Sequence, residues 1–190
     1  MSRPAPQTPS SSIQEGGAGF RPVAEHHNRP RVAIVGVGNI LMGDDGVGIR
    51  VVEALQKHAL PDNVELHDAG TAFQDLLPDL AECELVVIVD AVRTGDAPGT
   101  IHRFDLGSED IGSDGTALSV HDINVVAAMR LQMVAGEPLP PTRVLGVEPG
   151  EVALKLDLSD EVRARVPEIA DLAVREARAV AVGTQAGGRT

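Results

Sequence analysis

The chain has no tryptophan and no tyrosine, and only three phenylalanines in 190 residues. Its core must therefore be aliphatic, built from Val, Leu, Ile and Ala. Cysteine is nearly absent too. Cys83 stands alone, which excludes an internal disulfide and any cysteine-rich zinc or iron–sulfur site. Its place in "LAECELVVIVD", directly before an apolar run, marks a small packed residue rather than a nucleophile. Basic residues are outnumbered, 16 Lys and Arg against 28 Asp and Glu, for a formal net charge of -12. Such a balance argues against DNA, RNA or an anionic membrane as a partner, because each needs a basic patch. Most of the charge serves solubility. No apolar stretch is long enough to span a bilayer. The N-terminus shows neither a basic-then-apolar secretory pattern nor a twin arginine. The expectation is a cytoplasmic protein without membrane insertion.

What is present, 43% hydrophobic residues over 190 positions, suffices for one sizeable core. Residues 1–30 are rich in Pro, Ser and Gly and poor in large apolar side chains, so a disordered leader is expected there. Residues 183–190 read as a loose tail. Between them, residues 31–182 form one expected domain. "RVAIVGVG" and "CELVVIVD" are near-continuous apolar runs of the kind covered on both faces of a sheet. "VELHD", "TIHRF" and "TRVLGV" read as further strands. After Asp45, Val47, Val51 and Leu55 recur every four residues and predict an amphipathic helix. "TAFQDLLPDLAE" reads as a short helix interrupted near Pro78. "HDINVVAAMRLQMVAG" is an apolar helix stopped by Gly136 and the prolines beyond it. Residues 160–182 form a final amphipathic helix, capped by Ser159. "DLGSEDIGSDGTALS" is a long loop whose length draws attention. Strands alternating with helices predict an α/β fold: three layers, helix/sheet/helix, around a mixed, mostly parallel central sheet.

In such sheets ligands bind beyond the carboxyl ends of the strands. Four strand exits each deliver an acid there: Asp44 and Asp45 after "RVAIVGVG", Asp68 after "VELH", Asp90 after "VVIV" and Glu148 after "RVLGV". Any single one has a plain explanation. Asp44 or Asp45 can cap the first helix, and Asp68 can shape a turn. Asp90 closes an apolar run, and a carboxylate at the core boundary needs a partner. A dinucleotide cradle fails on detail. G-x-G-x-x-G would need glycine at position 41, where Leu41 stands, and two acids would repel a pyrophosphate. A cation answers better, because it turns repulsion among carboxylates into attraction. Carboxylates alone suit magnesium or calcium; an added imidazole favours a transition metal. His121, in "LSVHDIN", opens the apolar helix and can lean over the sheet edge, or be an ordinary surface histidine; spacing leaves both open.

"GVGNILMGDDGVGIRVVEAL", "HDAGT", "VVIVDAV", "SVHDINVVAAMRL" and "VLGVEPGEV", in that order, resemble the hydrogenase maturation endopeptidases. The resemblance runs from about Val32 to about Val180. It implies a metal-binding set of Asp45, Asp90 and His121. Asp45 is shorter than the glutamate of some relatives, and Ala69 replaces a glycine. It also implies an endopeptidase that recognises bound nickel. The expected substrate is a nickel-loaded [NiFe]-hydrogenase large-subunit precursor, from which the C-terminal extension is removed. Nickel is then expected to arrive with the precursor. A nearby acid, Asp44 or Asp68, would serve as general base. The helix-borne zinc motif H-E-x-x-H is absent. Competing classes are a general metallopeptidase or amidase of related fold, and a non-catalytic module binding nucleotide or precursor.

Overall fold

A computed structural model describes residues 30–107 and 123–183. The expected leader (up to residue 29), the body of the long loop and the tail (from residue 184) lie outside the described residues. Five strands make one sheet: β1 (Val32–Val37), β2 (Val64–Gly70), β3 (Leu85–Ala91), β4 (Ile101–Leu106) and β5 (Thr142–Val147). Their order is β2-β1-β3-β5-β4. The β1–β2, β1–β3 and β3–β5 pairs are parallel, and β4 alone runs antiparallel, against β5. The mixed, mostly parallel sheet expected from the alternating pattern is the one observed.

Side chains alternate across a strand, so an unbroken apolar run feeds two cores at once. Ala33, Val35, Val37, Val86, Ile88 and Val144 face one layer, which holds Phe73, Leu77, Leu80, Val125 and Met129. Val32, Ile34, Val87, Val89, Leu145 and Val147 face the other. That second layer is made by helix α1 (Val47–Leu55) and the last helix, α4 (Asp160–Gly183). The first layer is covered by a short helix α2 (Leu77–Leu80) and by α3 (Ile123–Val134). All six residues of β1 are buried, as a strand at the centre of three layers requires.

Pro78 does not interrupt its helix. A 3-10 turn, Phe73–Leu76, leads into α2, and Pro78 sits in the first turn, where its missing N–H costs nothing. Gly136 ends α3 as expected, with φ at 79°. The Ser159 cap is also present: its Oγ accepts from the Val162 amide at 3.4 Å. Cys83 is buried, and burial raises its thiol pKa, consistent with a packing role.

Two glycines set how the first helix meets the sheet. Gly38, at φ 129°, turns the chain out of β1 so tightly that a Cβ there would lie 1.8 Å from the Asp45 carbonyl oxygen. At Gly48, a Cβ would lie 2.2 Å from the Val89 carbonyl oxygen and 2.4 Å from that of Val37. The start of α1 is thus seated directly on the ends of β1 and β3. Gly48→Ala is expected to lift α1 from this seat and lose about 3 kcal/mol or more, seen as a lower urea midpoint and a melting temperature down by about 6 °C or more. Unchanged stability would mean that this contact is slack.

Candidate active site

Register brings the strand exits to one level. Gly36 of β1 pairs with Asp68 of β2 on one side and with Val89, the neighbour of Asp90, on the other. Asp45 lies in the 3-10 turn Gly43–Gly46 that joins β1 to α1. The seat of Gly48 against Val89 therefore holds the Asp45 turn beside the end of β3. Asp45, Asp68 and Asp90 are all delivered to the carboxyl edge of the sheet, as the strand-exit pattern anticipates.

Asp45 is half-buried, and its Oδ2 accepts from the Asn39 amide at 2.9 Å. Asp90 is half-buried as well. It continues the alternation of Val86 and Ile88, so an otherwise apolar strand face ends in a carboxylate. With Ile88, Val92, Phe104, Val125 and Val126 it lines a cleft of about 20 Å³ between the sheet and the first turn of α3. Its Oδ1 accepts from the Ala91 amide at 2.8 Å. Asp68 is exposed, and its Oδ1 accepts from the Gly70 amide at 2.9 Å, the turn-shaping bond anticipated for it. His121, two positions before α3, lies outside the described residues. Among the described residues no three His, Cys, Asp or Glu side chains gather closely enough to hold a metal ion.

The other two acids are structural. Asp44 is fully buried, and its carboxylate accepts four hydrogen bonds from the chain that follows β5. The amides of Gly150 and Glu151 donate to Oδ2 at 2.8 Å each, the Ser159 amide donates to Oδ1 at 2.6 Å, and the Ser159 hydroxyl donates to Oδ2 at 2.8 Å. Burial pushes its pKa up, but the Glu151, Ser159 and Gly150 donors outweigh burial and hold it below the usual value. Neither Asp44 nor Asp45 caps a helix: the 3-10 turn and α1 have no side-chain cap. Glu148 is buried too, and its Oε2 accepts from the Thr94 amide at 2.6 Å and the Thr94 hydroxyl at 2.9 Å. Burial again opposes ionisation, and these donors again lower the pKa. Glu148 thereby fixes the loop that follows Asp90. Sequence reading placed both acids at the right edge but had no signal for their partners, which lie up to 115 positions away.

Fold and site together define an α/β protein whose carboxylates collect beyond the carboxyl ends of a mostly parallel sheet. The family model described as hydrogenase maturation protease matches residues 49–176. The hydrogenase 2 maturation protease of Escherichia coli (strain K12) is 35% identical over 139 residues, covering 72% of this chain and 84% of that protein. The hydrogenase expression/formation protein HupD of Rhodobacter capsulatus is 33% identical over 150 residues, covering 77% and 69%. The solved structure of the hydrogenase maturating endopeptidase HybD from E. coli superposes with a TM-score of 0.67 at 30% identity, covering 78% of this chain and 92% of that one. The chain belongs to the hydrogenase maturation protease family, and as such it is a hydrolase that cuts peptide bonds.

The lowered pKa values of Asp44 and Glu148 make stability depend on pH. A carboxylate with a depressed folded pKa contributes fully above its unfolded value, and the contribution disappears as pH falls through the folded one. Stability should therefore be level above about pH 5 and fall progressively below it. Asp44→Asn turns an amide N–H₂ towards backbone donors, so it should cost about 2–3 kcal/mol at pH 7 and flatten the acid slope. Urea titrations of both proteins from pH 7 to pH 3 check this. An acid slope that survives the substitution unaltered would rule out the linkage for Asp44.

Proposed function

We propose that this protease removes the C-terminal extension of a nickel-loaded [NiFe]-hydrogenase large-subunit precursor, in the cytoplasm. The observation that carries this reading is the placement of Asp90. It closes an apolar strand face beside the first turn of α3, with the Asp45 turn seated against the end of the same strand. His121 enters through its position in sequence, two residues before α3. Two carboxylates and one imidazole are a donor set for a transition metal with coordination positions left open. In this reading nickel is part of the substrate. The precursor brings it, and Asp45, Asp90 and His121 complete its coordination, so that only loaded precursor is held in register for cutting. Among the described residues no helix is long and apolar enough to cross a membrane.

The general base is assigned to Asp68. Asp44, the other candidate, is buried with both carboxylate oxygens engaged by backbone donors and its pKa lowered, so it has little tendency to take a proton. Asp68 is exposed on the same edge, two strand spacings or about 10 Å from the end of β3. Water adds to the scissile carbonyl carbon and gives its proton to Asp68. The C–N bond then breaks, and the departing amine takes that proton.

Mass spectrometry of nickel-loaded and nickel-free precursor tests the reading. The wild-type chain should shorten only the loaded form. Asp90→Asn and His121→Ala should leave it intact while keeping the wild-type circular dichroism. Asp68→Asn should slow cutting by about 100-fold. Processing at the normal rate by both Asp90→Asn and His121→Ala would dismiss the ligand set, and equal cutting of nickel-free precursor would dismiss metal recognition.

A further inference from the structure

An exposed leucine alone carries no meaning, whereas a gathered set does. Among the described residues six large aliphatic side chains stand exposed, and four of them fall on two loops beside the acidic edge: Ile40 at 38%, Leu41 at 49%, Leu154 at 86% and Leu156 at 62%. The two loops are joined. The Gly43 amide donates to the Lys155 carbonyl at 2.7 Å, the Lys155 amide to the Leu41 carbonyl at 2.9 Å, and the Asp44 amide to the Glu151 carbonyl at 3.0 Å. Met42 and Lys155 form a parallel β-bridge. The bridge sets Met42 beside Lys155, so the turn carrying Ile40 and Leu41 and the loop carrying Leu154 and Leu156 lie side by side.

The patch is held stiffly. Beneath it the buried Asp44 carboxylate ties the 3-10 turn to Gly150, Glu151 and Ser159. The Asn39 side chain accepts from the Leu41 amide at 3.0 Å, and the Leu156 carbonyl accepts from Arg50 at 3.0 Å. Stiff apolar surface loses little entropy when a partner covers it. The patch is also continuous with the site. The Asn39 amide donates to Asp45, and a Cβ at Gly46 would lie 2.9 Å from Ile40 Cα, so the backbone that carries the patch touches the turn that carries Asp45.

We infer that Leu41, Leu154 and Leu156, with Ile40, form the docking rim for an extended segment of the precursor bearing aliphatic side chains, adjoining the segment presented to Asp45 and Asp90. This rests on the proposed function: a protease must hold polypeptide at its acidic edge, and among the described residues these exposed aliphatics share backbone with that edge. The rim supplies affinity, and the acids supply chemistry and metal selection.

The test uses the full chain and purified nickel-loaded precursor. Leu154→Ser/Leu156→Ser, and separately Leu41→Ser, are compared with wild type for KM and for calorimetric affinity. Leu131→Ser, on an exposed aliphatic of α3, is the control. The double variant should lose about tenfold or more in both KM and affinity, with melting temperature unchanged, and the control should stay within about twofold. Values within twofold of wild type for both rim variants, while wild type cuts normally, would overturn the rim alone. An equal loss in the control would overturn it too. So would a wild-type dimer in sedimentation that the double variant lacks, because the occupant would then be a second copy. A wild-type chain that neither binds nor cuts the precursor would sink the proposed function, and the rim with it.

Discussion

The carboxylate of Asp44 is the contact on which the carboxyl edge of this sheet depends. It is a buried charge, and a buried charge persists only where donors replace the water it has lost. Four donors do so, all from the chain that follows β5. The consequence is mechanical. The loop leaving β1 and the loop leaving β5 are locked into one unit, although β3 separates their strands in the sheet. The Asp45 turn and the aliphatic rim both inherit their positions from that unit.

Glu148 acts in the same manner one strand away. By accepting from Thr94 it holds the chain that continues from Asp90. The acids at the carboxyl edge thus divide by solvation. Asp44 and Glu148 are dry and saturated with donors, and they build the platform. Asp45, Asp68 and Asp90 retain access to solvent. One residue type occupies two environments at a single edge, and burial separates them.

Much of this was legible in the sequence. Each apolar run of β1 and β3 feeds two cores, so its composition announces a strand covered on both faces. The four-residue recurrence of Val47, Val51 and Leu55 gave α1, and Gly136 gave the end of α3. At Pro78 sequence and structure differ, because proline tells against helix interiors but suits first turns, and only the boundary decides between them. Asp44 and Asp45 are adjacent and look interchangeable in sequence. In space one is sealed beneath a loop junction and the other stands at the rim of the site.

The sequence by itself determined the order of elements, the layering and the arrival of acids at one edge. These follow from periodicity and from the rule that parallel strands end on the same side, both properties of short stretches of chain. Only the tertiary structure decided which acids are buried and saturated with donors, and that the turn of Leu41 is bridged to the loop of Leu154 and Leu156. Those outcomes depend on hydrogen-bond donors and apolar side chains more than 100 positions apart. No local pattern encodes such a meeting; it exists only once β1 and β5 have taken their places in the sheet.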